Sequence, residues 1–483
     1  MLTSLLIDLS ILAIFILLGL QLARCIAPGA DRLLLTSVAF PLGSGVYTWC
    51  VFCLAWIGLP LGRGLLAFVA AALLVGSVLF RRVSRGPVRG EANLVGGPAD
   101  AGMRDRALWA ALGVLLLVAL ALSVGRSYSA YDAAAGWAVK GYGIALEGEL
   151  DAGREWGLFG LGYPLNIMLQ VATFSLFEGE TLPGSKLLFP MYLVAVSLGS
   201  YRFWRKYGVS SRPALLATGF VATNPVVFLH ATNGYANLAF AATLTLGTLL
   251  NLEGILEDRA RIQAIGGLLL GIAAWTRPEG IGFFVAVVLG LFLLWALAGI
   301  GTIRALPWLV PGAALALGWN GFAWKALLQS HLGETLQAVP SGLSLSDPNL
   351  FELYLIPRLF LERAIDPGNW GLFLPAIMAL SLLGLAARRS WQRPVILSLF
   401  VLSMIVAALP VLIYYARSFA PSADFQEILR RDFDRAFLPG FFMLCVTAVL
   451  AAAGRTPSQR ATSEVPMPQA ALPAAADDSR AAR

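Results

Sequence analysis

Apolar residues run along this chain in long blocks. They lie near 5–24, 34–58, 62–80, 107–125, 158–176, 185–204, 213–230, 235–252, 262–276, 279–299, 305–325, 369–387, 395–415 and 436–454. Most approach the length of about 20 residues at which a helix crosses a bilayer core. No alternation of the kind a membrane barrel needs interrupts them. The pattern therefore predicts an all-α, polytopic transmembrane helical bundle. The polar stretches between blocks differ in kind. Residues 81–106 are basic and Gly-rich, 126–157 mixed and aromatic, 326–368 a long loop of scattered charge, and 416–435 charge-dense. The tail from 455, rich in Ala, Pro and Ser, reads as disordered.

Composition agrees with the blocks. Hydrophobic residues make up 58% and charged residues 13% of the 483, with a mean hydropathy of +0.75; soluble domains hold about 25% charged residues. The formal net charge of +7 does not indicate nucleic acid, because the basic residues sit in short clusters between apolar blocks. Those clusters are Arg81, Arg82, Arg85; Arg202, Arg205, Lys206, Arg212; Arg259, Arg261; and Arg388, Arg389, Arg393. The positive-inside rule places them in the cytoplasm. Residues 126–157, 231–234, 326–368 and 416–435 then face outward, and the C-terminal tail returns inside. Only one crossing can separate 126–157 from Arg202, yet two blocks lie between them. The first, 158–176, begins GLFGLGYPLN and is followed by FEGETLPG. It is predicted to lie along the outer membrane face or re-enter it, leaving about 13 spans with the N-terminus outside. MLTSLLIDLS has no basic residue before its apolar run, so 5–24 reads as a retained first span rather than a signal peptide.

Candidate chemistry gathers on the outer side. Cys50 and Cys53 form a CxxC inside an apolar helix without a second ligand pair, and with Cys25 and Cys445 they read as small buried hydrophobes. The first outer loop holds Asp132, Trp137, Lys140, Tyr142, Glu147, Glu149, Asp151, Arg154 and Glu155. Asp132 follows the fourth span closely, where partial desolvation makes a carboxylate a better base. Trp137 and Lys140, three apart, share a face if 133–148 is an interfacial helix; an aromatic-belt loop with solvated charges is the alternative. The hairpin NPVVFLHATNGYANL holds Asn224, His230, Asn233, Tyr235 and Asn237. Its histidine, with only His331 elsewhere, suits capping or hydrogen bonding better than metal. In AAWTRPEGIGF, Arg277 and Glu279 are charges deep among apolar residues, either functional or paired with each other. Arg417, Arg430, Arg431 and Arg435 stand outside against the positive-inside trend. They either bridge to Asp432 and Asp434 or meet an anionic partner such as phosphate. GGLLLGIAAW reads as close helix packing through small residues.

Taken in order, YDAAAGWAVK, GYPL, Asn-Pro followed by GYAN, WTRPEG and DRAFLP resemble the bacterial branch of the GT-C membrane glycosyltransferases. That superfamily includes protein O-mannosyltransferases, lipid A aminoarabinose transferases and oligosaccharyltransferases. The likeness runs from about 107 to 454. It divides the chain into an added three-span segment with its basic loop (1–106), a GT-C-like transmembrane domain (107–454) and a tail (455–483). The resemblance implies a polyprenyl-phosphate sugar donor, a lipid, glycan or protein acceptor, and inverting transfer at the outer face of the inner (plasma) membrane. It implies interfacial helices in the first outer loop, Asp132 as general base, and Trp137, Lys140, Tyr163, Tyr235, Asn237, Arg277, Glu279 and Arg435 as substrate-binding residues. Related chains tend to carry an aspartate after Gly-Tyr-Ala, where this one has Asn237. That removes an acidic group that could hold a metal or a sugar hydroxyl, so no cofactor is expected and a divalent metal is not supported. The alternatives are a non-catalytic transporter or assembly factor for envelope polysaccharide, or an inactive relative.

Overall fold

The computed structural model describes residues 2–83, 103–125, 128, 133–150, 163–179, 183–298, 307, 309–330, 358, 362, 373–387, 393–418 and 425–452. Among these residues all regular structure is helical. The elements are α1 (Leu2–Ile26), α2 (Arg32–Trp56), α3 (Arg63–Val83), α4 (Met103–Gly125), a π-turn (Ala133–Ala138) leading into α5 (Val139–Glu147), and α6 (Asn166–Glu178). A 3-10 turn (Pro183–Leu187) leads into α7 (Leu188–Lys206), followed by α8 (Ser211–Thr223), α9 (Pro225–Asn233), α10 (Ala236–Leu256) and α11 (Ala260–Ala274). The chain continues through α12 (Gly280–Ala298), α13 (Val310–Ser330), α14 (Phe373–Ala387), α15 (Arg393–Ser418) and α16 (Phe425–Ala452).

Six helices are long and apolar enough to cross a membrane, and seven if the bent α8–α9 pair is one span. Their surroundings differ. Only 17% of the apolar stretches of α3 and α4 is buried against protein, while 94% of that of α10 is. Phe68, Val75 and Leu79 on α3, and Val114 and Leu117 on α4, are exposed. An apolar surface of this extent needs lipid rather than water against it. The central helices approach through glycine, as GGLLLGIAAW predicts. A Cβ on Gly312 of α13 would fall 1.9 Å from the Gly267 carbonyl oxygen of α11, and one on Gly247 of α10 would fall 3.0 Å from that of Gly266. Only bare backbone permits such contact.

Three elements depart from the predicted blocks. The block 213–230 is not one straight helix, because α8 and α9 meet at a 60° bend. Asn224 and Pro225 cause it. Proline drives the preceding residue out of helical backbone, and Asn224 (ψ 127°) caps α9 with its Oδ1, which accepts from the Val226 and Val227 amides at 3.1 and 3.3 Å. The last helix begins at Phe425, so the charges from 427 to 435 stand on a helical extension of the final span rather than in a loop. The third departure is α6. Its 13 residues reach about 20 Å, the shortest reach of any described helix in a predicted apolar block apart from the bent α8–α9 pair. It is buried from Asn166 to Ser175 among α1, α2, α3 and α5.

One end of the bundle holds an ion network. Arg202 on α7 donates to Asp31 at 2.7 Å and to both oxygens of Glu253 on α10, at 2.5 and 2.9 Å. Lys206 joins Glu253 at 2.7 Å and Glu257 at 2.5 Å. Close by, Arg212 pairs with Asp105 at 3.0 Å. Several of the basic residues read as plain topology signals are thus committed to partners, and Glu253 is fully buried. The candidate site lies at the opposite end.

Candidate functional site

The site grows from the short helices after α4. The π-turn and α5 cover about the range predicted for an interfacial helix, and Gly148 (φ 72°) ends α5 in left-handed backbone. Its carbonyl accepts from the Leu61 amide at 2.8 Å. This platform packs on α6 so closely that a Cβ on Gly141 would lie 2.7 Å from the Met168 carbonyl oxygen. Trp137 and Lys140 do share a face, and it is the buried one. The Trp137 ring meets Tyr163 edge-on, with centroids 4.9 Å apart. Removal from water lowers the Lys140 ammonium to about 8.

A second group forms where α9 meets α10 and α11 meets α12. Arg277 donates through Nε to Glu279 Oε1 at 2.5 Å and through Nη1 to Asn237 Oδ1. The Arg–Glu pair expected as one reading of WTRPEG is therefore present, and it engages Asn237 as well. The Tyr235 ring lies 4.8 Å from that of His230, whose Nδ1 is 2.7 Å from the Val226 carbonyl oxygen. Since a carbonyl only accepts, Nδ1 carries the proton. Three buried atoms of this group, His230 Nε2, Asn237 Nδ2 and Glu279 Oε2, have no hydrogen-bond partner among the described residues.

A polar seam joins the two groups. Asn166 opens α6 three residues beyond Tyr163, and its Nδ2 donates to Thr276 Oγ1 at 2.9 Å, one residue before Arg277. Its Oδ1 accepts from Thr48 at 2.7 Å and Gln170 at 3.0 Å. Gln170 continues to Tyr192 at 3.0 Å, and Trp275 donates to Thr48 at 3.4 Å. Such bonds answer the need of polar groups in an apolar interior.

Asp132 lies outside the described residues, but both its flanks are placed. Ala133 is fully buried. Tyr128, four residues before Asp132, pairs with Ser185 at 2.7 Å and lies under Lys186, whose Nζ is 5.5 Å from the ring centroid. The Tyr128 ring rests on Gly234 (φ 84°), where a Cβ would come within 2.8 Å of it. The first loop is thereby fixed to the α9–α10 hairpin that holds Tyr235 and Asn237. Arg435, half-buried, opens the apolar part of α16, which packs along α10. The side chains of Arg417, Arg430 and Arg431 lie outside the described residues. Among the described residues, no three His, Cys, Asp or Glu side chains are grouped to hold a metal.

The structure thus unites Tyr235, Asn237, Arg277 and Glu279, pairs Trp137 with Tyr163, and links the two sets. Asn166, Thr276, Gln170 and Tyr128 were not singled out in the sequence. Asn166 and Thr276 adjoin or fall within quoted motifs, but their partners lie 110 residues apart along the chain. No protein-family model, curated protein or solved structure matches the chain. Fold and site define a helical membrane protein with a buried polar cluster at the end of the bundle opposite its ion network.

Proposed function

We propose that the chain is a GT-C-type membrane glycosyltransferase, which moves a sugar from a polyprenyl-phosphate donor to an acceptor hydroxyl at the outer face. The observation that carries this reading is the joining of separate motif segments. Tyr163 of GYPL, Asn237 of GYAN, and Arg277 and Glu279 of WTRPEG meet or connect through Asn166 and Thr276 at one end of the bundle. The opposite end holds Arg202, Lys206 and Arg212, as a cytoplasmic end should. Thirteen crossings require α7, α11, α12, α13, α14 and α15 to span in addition to the six long helices and the bent pair. An apolar cavity of about 520 Å³ between α8, α14 and α16, lined by Leu216, Phe220, Ile377, Leu380, Cys445 and Val449, offers room for part of a lipid tail.

In this reading Asp132 takes the proton of the acceptor hydroxyl as its oxygen attacks the anomeric carbon. The bond from that carbon to the phosphate oxygen breaks, and polyprenyl phosphate leaves with the electron pair. Arg435 opposes the charge that grows on the phosphate. One displacement inverts the anomeric centre. Losing a general base slows such a step by about 10²–10⁴-fold. Asp132→Asn, inserted at the wild-type level, is expected to lose transfer to that extent, and wild-type turnover would refute the assignment. Mass spectrometry of lipid-linked sugars and envelope glycans in a deletion strain tests the reading as a whole; an unchanged profile counts against any transferase.

A further inference from the structure

The three buried polar atoms without partners among the described residues fix the kind of group this cluster can take. Guanidinium only donates, so Arg277 holds Asn237 by its Oδ1 and leaves the Nδ2 donor unused. Glu279 spends Oε1 on Arg277 and leaves Oε2 as an acceptor. His230, protonated on Nδ1, leaves Nε2 as an acceptor. The unfilled set is therefore two acceptors and one donor, around an arginine whose charge is already matched by a carboxylate. His230 and Asn237 are 5% and 1% exposed, so these groups are not served by bulk water.

We infer that His230, Asn237 and Glu279, gathered about Arg277, form a subsite for an uncharged hydroxyl-bearing group, a sugar ring, and not for phosphate. The phosphodiester of a lipid-linked sugar carries no proton, so its oxygens only accept and would face Glu279 Oε2 and His230 Nε2 with nothing to donate, and free phosphate would bring charge beside the Glu279 carboxylate. Adjacent sugar hydroxyls donate to both and accept from Asn237 Nδ2. The Tyr235 ring, tilted against that of His230 with centroids 4.8 Å apart, offers an apolar face to the ring's C–H groups. The assignment rests on the transferase proposal and deepens it by naming what this part of the site holds, with the lipid phosphate left to Arg435. Asn237 becomes a specificity residue: an aspartate there would add a second carboxylate beside Arg277 and remove the lone donor.

Saturation-transfer NMR on the full chain in lipid nanodiscs tests this, with D-mannose, D-glucose, D-galactose, N-acetylglucosamine and L-arabinose as probes and inorganic phosphate as competitor. At least one monosaccharide is expected to bind, and phosphate not to displace it. Glu279→Gln and Asn237→Ala are each expected to weaken that sugar about tenfold, as loss of one hydrogen bond involving a charged or buried partner does. Glu279→Gln also unmasks Arg277, so phosphate binding should appear in that variant alone. Melting curves matching wild type confirm that the variants fold. Binding of none of the five sugars, sugar binding indifferent to both variants, or displacement by phosphate in the wild type would each overturn the inference. Sugar binding in a protein whose deletion leaves every glycan unchanged would sink the transferase reading and leave this one standing.

Discussion

Asn166→Ala removes the joint between the two halves of the site, and the structure sets what that costs. Asn166 is fully buried and makes three hydrogen bonds, to Thr48, Gln170 and Thr276. Two of the partners are not stranded by its loss. Thr48 keeps the Ser44 carbonyl at 3.0 Å, and Thr276 keeps that of Ile272 at 2.7 Å. The penalty is therefore the bonds themselves plus a small void, rather than orphaned hydroxyls. Hydrogen bonds between membrane helices average about 0.6 kcal/mol and those in proteins generally about 1, so three amount to about 2–3 kcal/mol. For a chain of this size that is a fall in melting temperature of about 2–5 °C, read by size-exclusion chromatography after heating in detergent. Thr276→Val completes a double-mutant cycle, and a coupling of about 0.5–1 kcal/mol is expected for residues in direct contact. Strict additivity of the two substitutions would refute the joint, and an unshifted melting point for Asn166→Ala would refute the burial argument as well.

Glu253→Ala should be more damaging than Asn166→Ala. It strips a buried carboxylate from Arg202 and Lys206, and breaking a buried pair costs about 3–5 kcal/mol; survival of heating at the wild-type level would remove the network from the stability of the fold. Lys140 gives a pH test. Burial lowers its folded value to about 8 from an ordinary 10.5, so between these the unfolded chain binds more protons and stability should rise with pH through that window. Lys140→Met should flatten the difference in melting temperature between pH 8 and 10.5; an equal rise in the variant assigns the slope to another group.

The helices were legible because a bilayer imposes one rule on every span, an unbroken apolar run. Parity set the block holding α6 apart, since charges on either side of it left one crossing for two blocks, and its helix is indeed short, 13 residues. Its burial was not legible, because Asn166 and Gln170 look like surface residues until Thr48, Thr276 and Tyr192 are seen around them. The 60° bend was implicit in Asn224-Pro225, yet an apolar block hides it. Within the site, Arg277–Glu279 could be read from two residues of spacing. The grip of Arg277 on Asn237 could not, since 40 positions separate them. The same holds at the other end, where Arg202, read as a topology signal, and Glu253 are 51 apart.

The buried α6 also bears on the order in which this chain can be made. Spans enter a bilayer one after another as they leave the ribosome, each held by lipid as soon as it arrives. α6 is too short for lipid to hold, and its inward face carries Asn166 and Gln170, whose amides need partners before they can leave water. Thr48 and Tyr192 are synthesised early enough to receive it, but Thr276 comes 110 residues after Asn166. The segment must wait outside the bundle, or sit in it half-satisfied, until α11 and the turn after it, which holds Thr276, have been made. Assembly of the site is thus a late step gated by α11, and chains halted before it should leave the α6 segment open to protease.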